Sequence, residues 1–126
     1  MPEDFKKKFF FDTYALIEIL KSNPDYVPYL EEPITITMLN LIELYYSALK
    51  YLGIERAKEY YTKYKVSVVE INDEIVFDAM KLKLKYSQKN LSYVDCIGYI
   101  YAKANKLKFL TGDKEFIGME NVEFVK

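Results

Sequence analysis

Histidine is absent from the 126-residue sequence, and Cys96 is its only cysteine. The absence of histidine excludes Ser-His and Cys-His nucleophile systems, histidine general bases and every zinc site that uses imidazole. A single cysteine excludes an internal disulfide and a cysteine-cluster metal site, and we expect Cys96 to be a small packed apolar group. Any chemistry in this chain therefore falls to carboxylates and lysines, most simply with a hard cation bound through oxygen.

Arginine, glycine and proline are also scarce. Of 18 basic residues only Arg56 is an arginine, so contacts to a polyanion would come from lysines acting as point charges. The formal net charge of −1 gives no large basic field, and the 4 glycines and 4 prolines leave no flexible linker. The apolar run in "MPEDFKKKFFF" stops at Asp12, and no run is long enough to span a bilayer. We therefore expect one cytoplasmic domain, residues 1–126, without membrane contact.

Short apolar runs alternate with longer segments of helical periodicity along the chain. This alternation predicts an α/β domain of three layers, α/β/α, around a parallel sheet with right-handed crossovers. The predicted strands are "KFFFD" ending at Asp12, "ITIT" at 34–37, "VSVVEI" at 66–71, "KFLT" at 108–111 and "VEFV" at 122–125. The predicted helices are "TYALIEILKS", "MLNLIELYYSALKYL", "IERAKEYYTKY", "DEIVFDAMKLKLKYSQK" and "SYVDCIGYIYAKANK".

Four acidic residues lie where this arrangement would bring strand ends together. Asp12 ends the first strand, and Asp113 follows the fourth. Glu43 lies on the helix after the second strand, and Asp95 lies in the first turn of the helix that leads into the fourth. Ligands of parallel sheets bind beyond the carboxyl ends of the strands. Carboxylates about 4 Å apart would repel by about 4 kcal/mol per pair, which a divalent cation such as Mg²⁺ or Mn²⁺ reverses.

Each acid also has a local explanation, which stays open when that residue is taken alone. Asp12 can cap the helix that follows it. Ser92 and Asp95 fit a capping box, with aspartate in place of the preferred glutamate. Asp113 suits a turn, and Glu43 lies on a polar stripe that solvent can cover.

Four segments together resemble the PIN domain, and within it the small single-domain ribonuclease toxins of the VapC type. They are "FFFDTYALI", "ITMLNLIELYY", "LSYVDCIGYIYAKANKLKFLTGDKEF" and, within the last, "TGDKEF". The resemblance spans nearly the whole chain. It implies a five-stranded parallel sheet of order 3-2-1-4-5 and a Mg²⁺- or Mn²⁺-dependent endoribonuclease acting on single-stranded RNA. It also implies a homodimer that a small antitoxin protein neutralises.

Carried over position by position, the resemblance makes four acids the catalytic metal site. Polar residues beside them would hydrogen-bond to the metal ligands or contact the substrate. Thr37 stands where many relatives have a serine. The four acids are Asp12, Glu43, Asp95 and Asp113, and the polar residues are Thr13, Asn40, Ser92 and Thr111.

Two other functions are compatible with the same strand order. One is a PIN-like RNA-binding or scaffold domain with weak or no nuclease activity, which the presence of all four acids disfavours. The other is a phosphorelay receiver, which needs an acidic pair after the first strand, whereas "FFFDTY" supplies one acid.

Two surface features have alternative explanations. Lys81, Lys85 and Lys89 would share one helical face and line an RNA path, or they form a solvated stripe. Five tyrosines on consecutive helices either pack the helices together or form a groove for an antitoxin or a second subunit. These tyrosines are Tyr45, Tyr46, Tyr60, Tyr61 and Tyr64.

Overall fold

The computed structural model describes residues 6–126, so residues 1–5 of the expected domain lie outside the described residues. The strands are β1 (Phe9–Phe11), β2 (Ile36–Thr37), β3 (Val68–Val69), β4 (Lys108–Thr111) and β5 (Val122–Phe124). The α-helices are α1 (Thr13–Leu20), α2 (Met38–Leu52), α3 (Ile54–Lys65), α4 (Asp73–Lys85) and α5 (Tyr93–Ala104). Two short 3-10 helices cover Pro24–Tyr29 and Lys114–Phe116.

The strands form two parallel sheets. One has three strands in the order β1-β4-β5, and the other pairs β2 with β3. The predicted α/β class with parallel strands is confirmed. The expected single five-stranded sheet of order 3-2-1-4-5 is not what residues 6–126 form, because their pairing is divided between these two sheets.

The division falls between β1 and β2 because β2, which has only two residues, does not form a strand ladder with β1. Of the predicted strands 34–37 and 66–71, only Ile36–Thr37 and Val68–Val69 pair. One backbone bond crosses the gap, from the Phe11 N–H to the Thr35 carbonyl at 3.0 Å. This bond holds the start of β2 beside the end of β1, so the first turn of α2 lies close to Asp12.

Helices cover the three-stranded sheet on both faces, as the three-layer prediction requires. Successive side chains of a strand point to opposite faces. Phe10 and Phe109 pack in one core with α4 and α5, while Phe11 and Leu110 pack in a second core with α1, α2 and α3. Cys96 is fully buried in the first core, which confirms its prediction as a packing residue.

The helix predicted over residues 73–89 ends at Lys85. The chain then turns, and its next residues bond to the segment after β4. The Asn90 N–H donates to Glu115 Oε1 at 2.9 Å, and Lys89 Nζ donates to the Glu115 carbonyl at 3.0 Å. These tertiary bonds replace the helical ones, so Lys89 does not continue the helical face of Lys81 and Lys85.

Most of the tyrosines on α2 and α3 pack between helices. Tyr45 and Tyr61 meet edge to face with ring centroids 5.7 Å apart, and Tyr60 stacks on the buried Tyr64 at 6.3 Å. Tyr46 differs, with 63% of its surface exposed. Helix packing therefore accounts for four of the five. None of the helices within residues 6–126 is both long and apolar enough to cross a bilayer.

Gly112 joins β4 to Asp113, where two other segments leave no space for a side chain. A Cβ atom at this position would lie 2.2 Å from the Val125 carbonyl oxygen and 2.4 Å from Cε1 of Tyr14. Crowding by the C-terminal segment and the Tyr14 ring is the physical reason for glycine here.

We predict that Gly112→Ala destabilises the fold by about 1–3 kcal/mol, because the added methyl group must displace backbone as well as a ring. Urea unfolding of the two proteins measures this difference. Gly118→Ala is the matched comparison, since open space surrounds that Cβ and only its φ of +85° opposes the substitution. Equal stability of Gly112→Ala and the wild type would contradict the crowding.

Candidate metal centre

Asp12 lies at the carboxyl end of β1, and only 2% of its surface is exposed. Its N–H donates to the Leu110 carbonyl of β4 at 3.0 Å, which extends the sheet by one residue and fixes its position. Its carboxylate accepts from the Thr13 N–H at 2.8 Å and from the Thr111 hydroxyl at 2.6 Å. Asp12 is therefore both the N-cap of α1, as its local sequence predicts, and a buried acid shared between two strand ends.

A chain of hydrogen bonds connects β2 to Glu43. The Thr37 N–H and hydroxyl donate to Asn40 Oδ1 at 2.9 and 2.8 Å, which directs the amide Nδ2 away from them. That Nδ2 donates to the Thr13 hydroxyl at 3.0 Å. The Thr13 hydroxyl in turn donates to Glu43 Oε1 at 2.6 Å. The buried capping box of α2 thus orients a hydroxyl toward a partly buried carboxylate.

Asp95 lies in the first turn of α5 and is half-buried. Asp95 and Ser92 form a complete capping box: the Asp95 N–H donates to Ser92 Oγ at 3.0 Å, and the Ser92 N–H donates to Asp95 Oδ2 at 2.9 Å. The predicted capping role is confirmed. The Ser92 N–H and the helix N-terminus favour the ionised carboxylate at this position and partly offset the effect of burial.

Asp113 lies just beyond β4, where Thr111 connects it to Asp12. The Thr111 hydroxyl accepts from the Asp113 N–H at 3.1 Å while it donates to Asp12. Asp113 Oδ1 accepts from the Glu115 N–H at 3.0 Å and so caps the 3-10 helix. Glu115 is a site neighbour that the sequence prediction missed, although an acid two residues after a turn aspartate is the signal that could have identified it.

The four acids affect one another electrostatically. Burial is the main cause that raises the pKa of Asp12 to about 8, and the charges of Asp95 and Asp113 raise it further, against the donors on Thr111 and Thr13. Burial also raises the pKa of Asp95, to which the charges of Asp113 and Glu43 add. The acids predicted from strand ends thus lie within electrostatic range of one another.

No basic side chain of the described residues forms an ion pair with these acids. Within residues 6–126 the one ion pair joins Lys103 and Glu120, away from Asp12. Across the same described range, no three Asp, Glu or Cys side chains form a group tight enough to hold a metal ion. The four acids therefore do not form a closed ligand group in this part of the chain, although Asp12, Asp95, Asp113 and Glu43 influence one another electrostatically.

The donor set suits a hard divalent cation. It consists of carboxylate oxygens, one of them buried with no cationic partner in the described chain. Oxygen ligands of this kind are those that Mg²⁺ and Mn²⁺ prefer. A cation bound there would stabilise the ionised form of Asp12, which burial disfavours.

The family described as PIN domain matches residues 9–121. A toxin-antitoxin complex from Klebsiella pneumoniae is similar in structure, with a TM-score of 0.74 and 22% identity over 92% of this chain and 96% of that chain. A DNA-bound VapBC from Salmonella typhimurium is similar with a TM-score of 0.69 and 17% identity over 95% and 98% of the two chains. VapBC2 from Rickettsia felis, bound to a promoter DNA fragment, is similar with a TM-score of 0.68 and 20% identity over 93% of this chain and 96% of that chain. No curated protein matches the chain.

We predict that Asp12→Asn gains stability relative to the wild type as the pH rises from 5 to 8 in a chelating buffer. Asp12 has a pKa of about 8 in the folded chain, compared with about 4 in an unfolded one. The folded wild type therefore holds one more proton in this window, and its stability falls by at most about 1.4 kcal/mol per pH unit. Asparagine has no proton to lose.

Urea unfolding at several pH values measures this difference. Asp78→Asn on α4 is the control, because Asp78 is exposed and its difference from the wild type should not change with pH. A difference between Asp12→Asn and the wild type that is the same at pH 5 and pH 8 would contradict a buried, uncompensated acid.

Proposed function

The chain belongs to the PIN-domain family, and from that premise we propose that it is a divalent-metal-dependent endoribonuclease that hydrolyses phosphodiesters of single-stranded RNA. The observation that carries this proposal is the buried carboxylate of Asp12, which pairs with no basic residue within 6–126 and which Asp95 and Asp113 influence. A purely structural aspartate at a helix N-cap needs neither this burial nor these acidic neighbours.

In this proposal Asp12, Asp95, Asp113 and Glu43 hold Mg²⁺ or Mn²⁺, directly or through water. A cation bound there supplies charge neutralisation at the scissile phosphate and an activated water. The number of cations is left open by the four ligands. The polar groups beside the acids fix ligand orientation, as hydrogen-bonded neighbours of metal ligands commonly do.

Each neighbouring residue has a defined task in this scheme. The Thr111 hydroxyl connects Asp12 with Asp113 and keeps the two strand ends together. Ser92 fixes Asp95 through two hydrogen bonds. The Thr13 hydroxyl, oriented by Asn40, donates to one oxygen of Glu43 and leaves the other free to orient the attacking water.

We further propose that this nuclease is the toxin of a toxin–antitoxin pair, active in the cytoplasm as a homodimer and neutralised by a small antitoxin protein. The support is the structural likeness to a toxin-antitoxin complex and to two VapBC assemblies. Expression of this chain alone should then arrest growth of a bacterial host, and Asp12→Asn should relieve the arrest.

One observation favours a second candidate, an RNA-binding PIN domain without useful activity. Among the described residues, the acids do not form a tight three-ligand group. The two candidates differ in whether RNA is cut when Mn²⁺ or Mg²⁺ is added.

We predict that the purified chain cleaves single-stranded RNA with Mn²⁺ or Mg²⁺ and that EDTA stops the cleavage. Asp95→Asn should lower the rate about 100-fold or more, because it removes a ligand charge while the amide still accepts from the Ser92 N–H. Gel analysis of a labelled RNA measures the rate. Asp78→Asn, an equally conservative change on an exposed surface, should cleave like the wild type, and similar activity of Asp95→Asn and wild type would refute the assignment.

Cation binding should also appear without any substrate. We predict that millimolar Mn²⁺ raises the melting temperature of the wild type at pH 8, because a ligand that binds only the folded state stabilises it by mass action. The shift should be lost in Asp12→Asn and kept in Asp78→Asn. A shift of equal size in all three proteins would place the bound cation elsewhere.

A further inference from the structure

A cleft with a volume of about 490 Å³ lies beside the acidic site. It is bounded by the C-terminal end of α4, the second half of α5 and the loop at residues 117–120. Cavities that hold small ligands usually have volumes of about 300–1,000 Å³, so one nucleotide fits a space of this size.

Lysines and apolar side chains both line the cleft. Three lysines and one glutamate line it, a formal charge of +3 − 1 = +2, in a chain whose net charge is −1. A second cleft of similar size, about 470 Å³, lies near Asn72 and contains a glutamate and no lysine. The charged residues of the first cleft are Lys85, Lys89, Lys103 and Glu120, and its apolar residues include Leu82, Ile100, Ile117 and Met119.

Two of these lysines keep their charge available for an anion. Lys103 pairs with Glu120 at 2.5 Å, which largely neutralises it. Lys89 Nζ bonds to a neutral carbonyl, that of Glu115. Lys85 is exposed and lies over the Tyr86 ring, 5.4 Å from its centroid, without a carboxylate at ion-pair distance in residues 6–126.

Direct contacts connect the cleft to the acids. Lys89 bonds to Glu115, and the Glu115 N–H donates to Asp113. On α5, Lys103 follows Asp95 by eight residues, about 12 Å along the helix axis. An RNA strand with its scissile phosphate at the acids therefore passes the cleft within the length of a few nucleotides.

From this geometry we infer that the cleft holds a nucleotide of the RNA substrate beside the one that is cut. Its phosphate lies at Lys85 and Lys89, and its base lies against Tyr86, Ile117 and Met119. The inference rests on the proposed function, because single-stranded RNA is taken as the substrate. Lys81, the third lysine of the predicted stripe, does not line the cleft and has no part in this subsite.

The test measures binding of a fluorescein-labelled 12-nucleotide single-stranded RNA in EDTA, where no cleavage occurs. Lys85→Gln should weaken binding about fivefold at 0.1 M salt and reduce the slope of log K against log salt by about 0.7, the loss of one phosphate contact. Lys58→Gln on α3, in the opposite layer, is the charge-matched control and should change binding by less than about twofold. Equal losses in Lys81→Gln and Lys85→Gln would mean a diffuse charged helix face and would overturn the subsite.

The contribution of the apolar residues that line the cleft is tested with a second pair of variants. Ile117 and Leu84 are both exposed, at 60% and 77%, so serine at either position leaves the core unchanged. Ile117→Ser should weaken RNA binding about threefold through the lost contact with a base, while Leu84→Ser, outside the cleft, should not. The subsite would be overturned if either Ile117→Ser or Lys85→Gln bound RNA as tightly as the wild type.

These outcomes separate the subsite from the nuclease proposal. If RNA binding depends on Lys85 and Ile117 but the wild type does not cut RNA with Mn²⁺ or Mg²⁺, the subsite is supported and the nuclease proposal is refuted. If the wild type cuts RNA in a metal-dependent way, and Lys85→Gln and Ile117→Ser cut limiting RNA at the same rate, the subsite is refuted and the nuclease proposal stands.

Discussion

The carboxylate of Asp12 is the group on which the structure of this site depends. It is placed between the ends of β1 and β4 by backbone pairing with Leu110, and it is almost fully buried. Burial without a cationic partner disfavours its ionised form, and two acidic neighbours add to that. Neutral donors from Thr13 and Thr111 offset only part of this effect, so an external cation is needed to stabilise the ionised form of Asp12 at neutral pH.

The surrounding polar residues have a second role, which is to keep the other acids oriented but apart. Thr37 and Asn40 form the capping box of α2 and extend through Thr13 to Glu43. Ser92 does the same for Asp95 at the start of α5. Asp12, Asp95 and Asp113 are each both a helix-capping residue and a candidate ligand. The local sequence therefore does not distinguish capping from metal binding at these positions.

The sequence predicted the order of elements, the parallel strands, the two helical layers and the strand-end acids, because these depend on local periodicity and on where apolar runs stop. It did not predict the break between β1 and β2, which depends on a strand only two residues long and one bond from Phe11 to Thr35. The early end of α4 was also missed, because the bonds between Asn90 and Glu115 join distant segments. How closely the four acids approach depends on side-chain positions and a bound ion, which local periodicity does not encode.

The central claim is that burial and acidic neighbours disfavour the ionised form of Asp12 until a cation binds. An NMR titration of the Asp12 carboxyl carbon, in EDTA and again with Mg²⁺, tests it most directly. The account predicts a pKa of about 8 in EDTA. It also predicts that Mg²⁺ lowers this pKa to about 4 or below. A carboxyl that titrates near its ordinary value in EDTA, or whose pKa Mg²⁺ does not change, would contradict it.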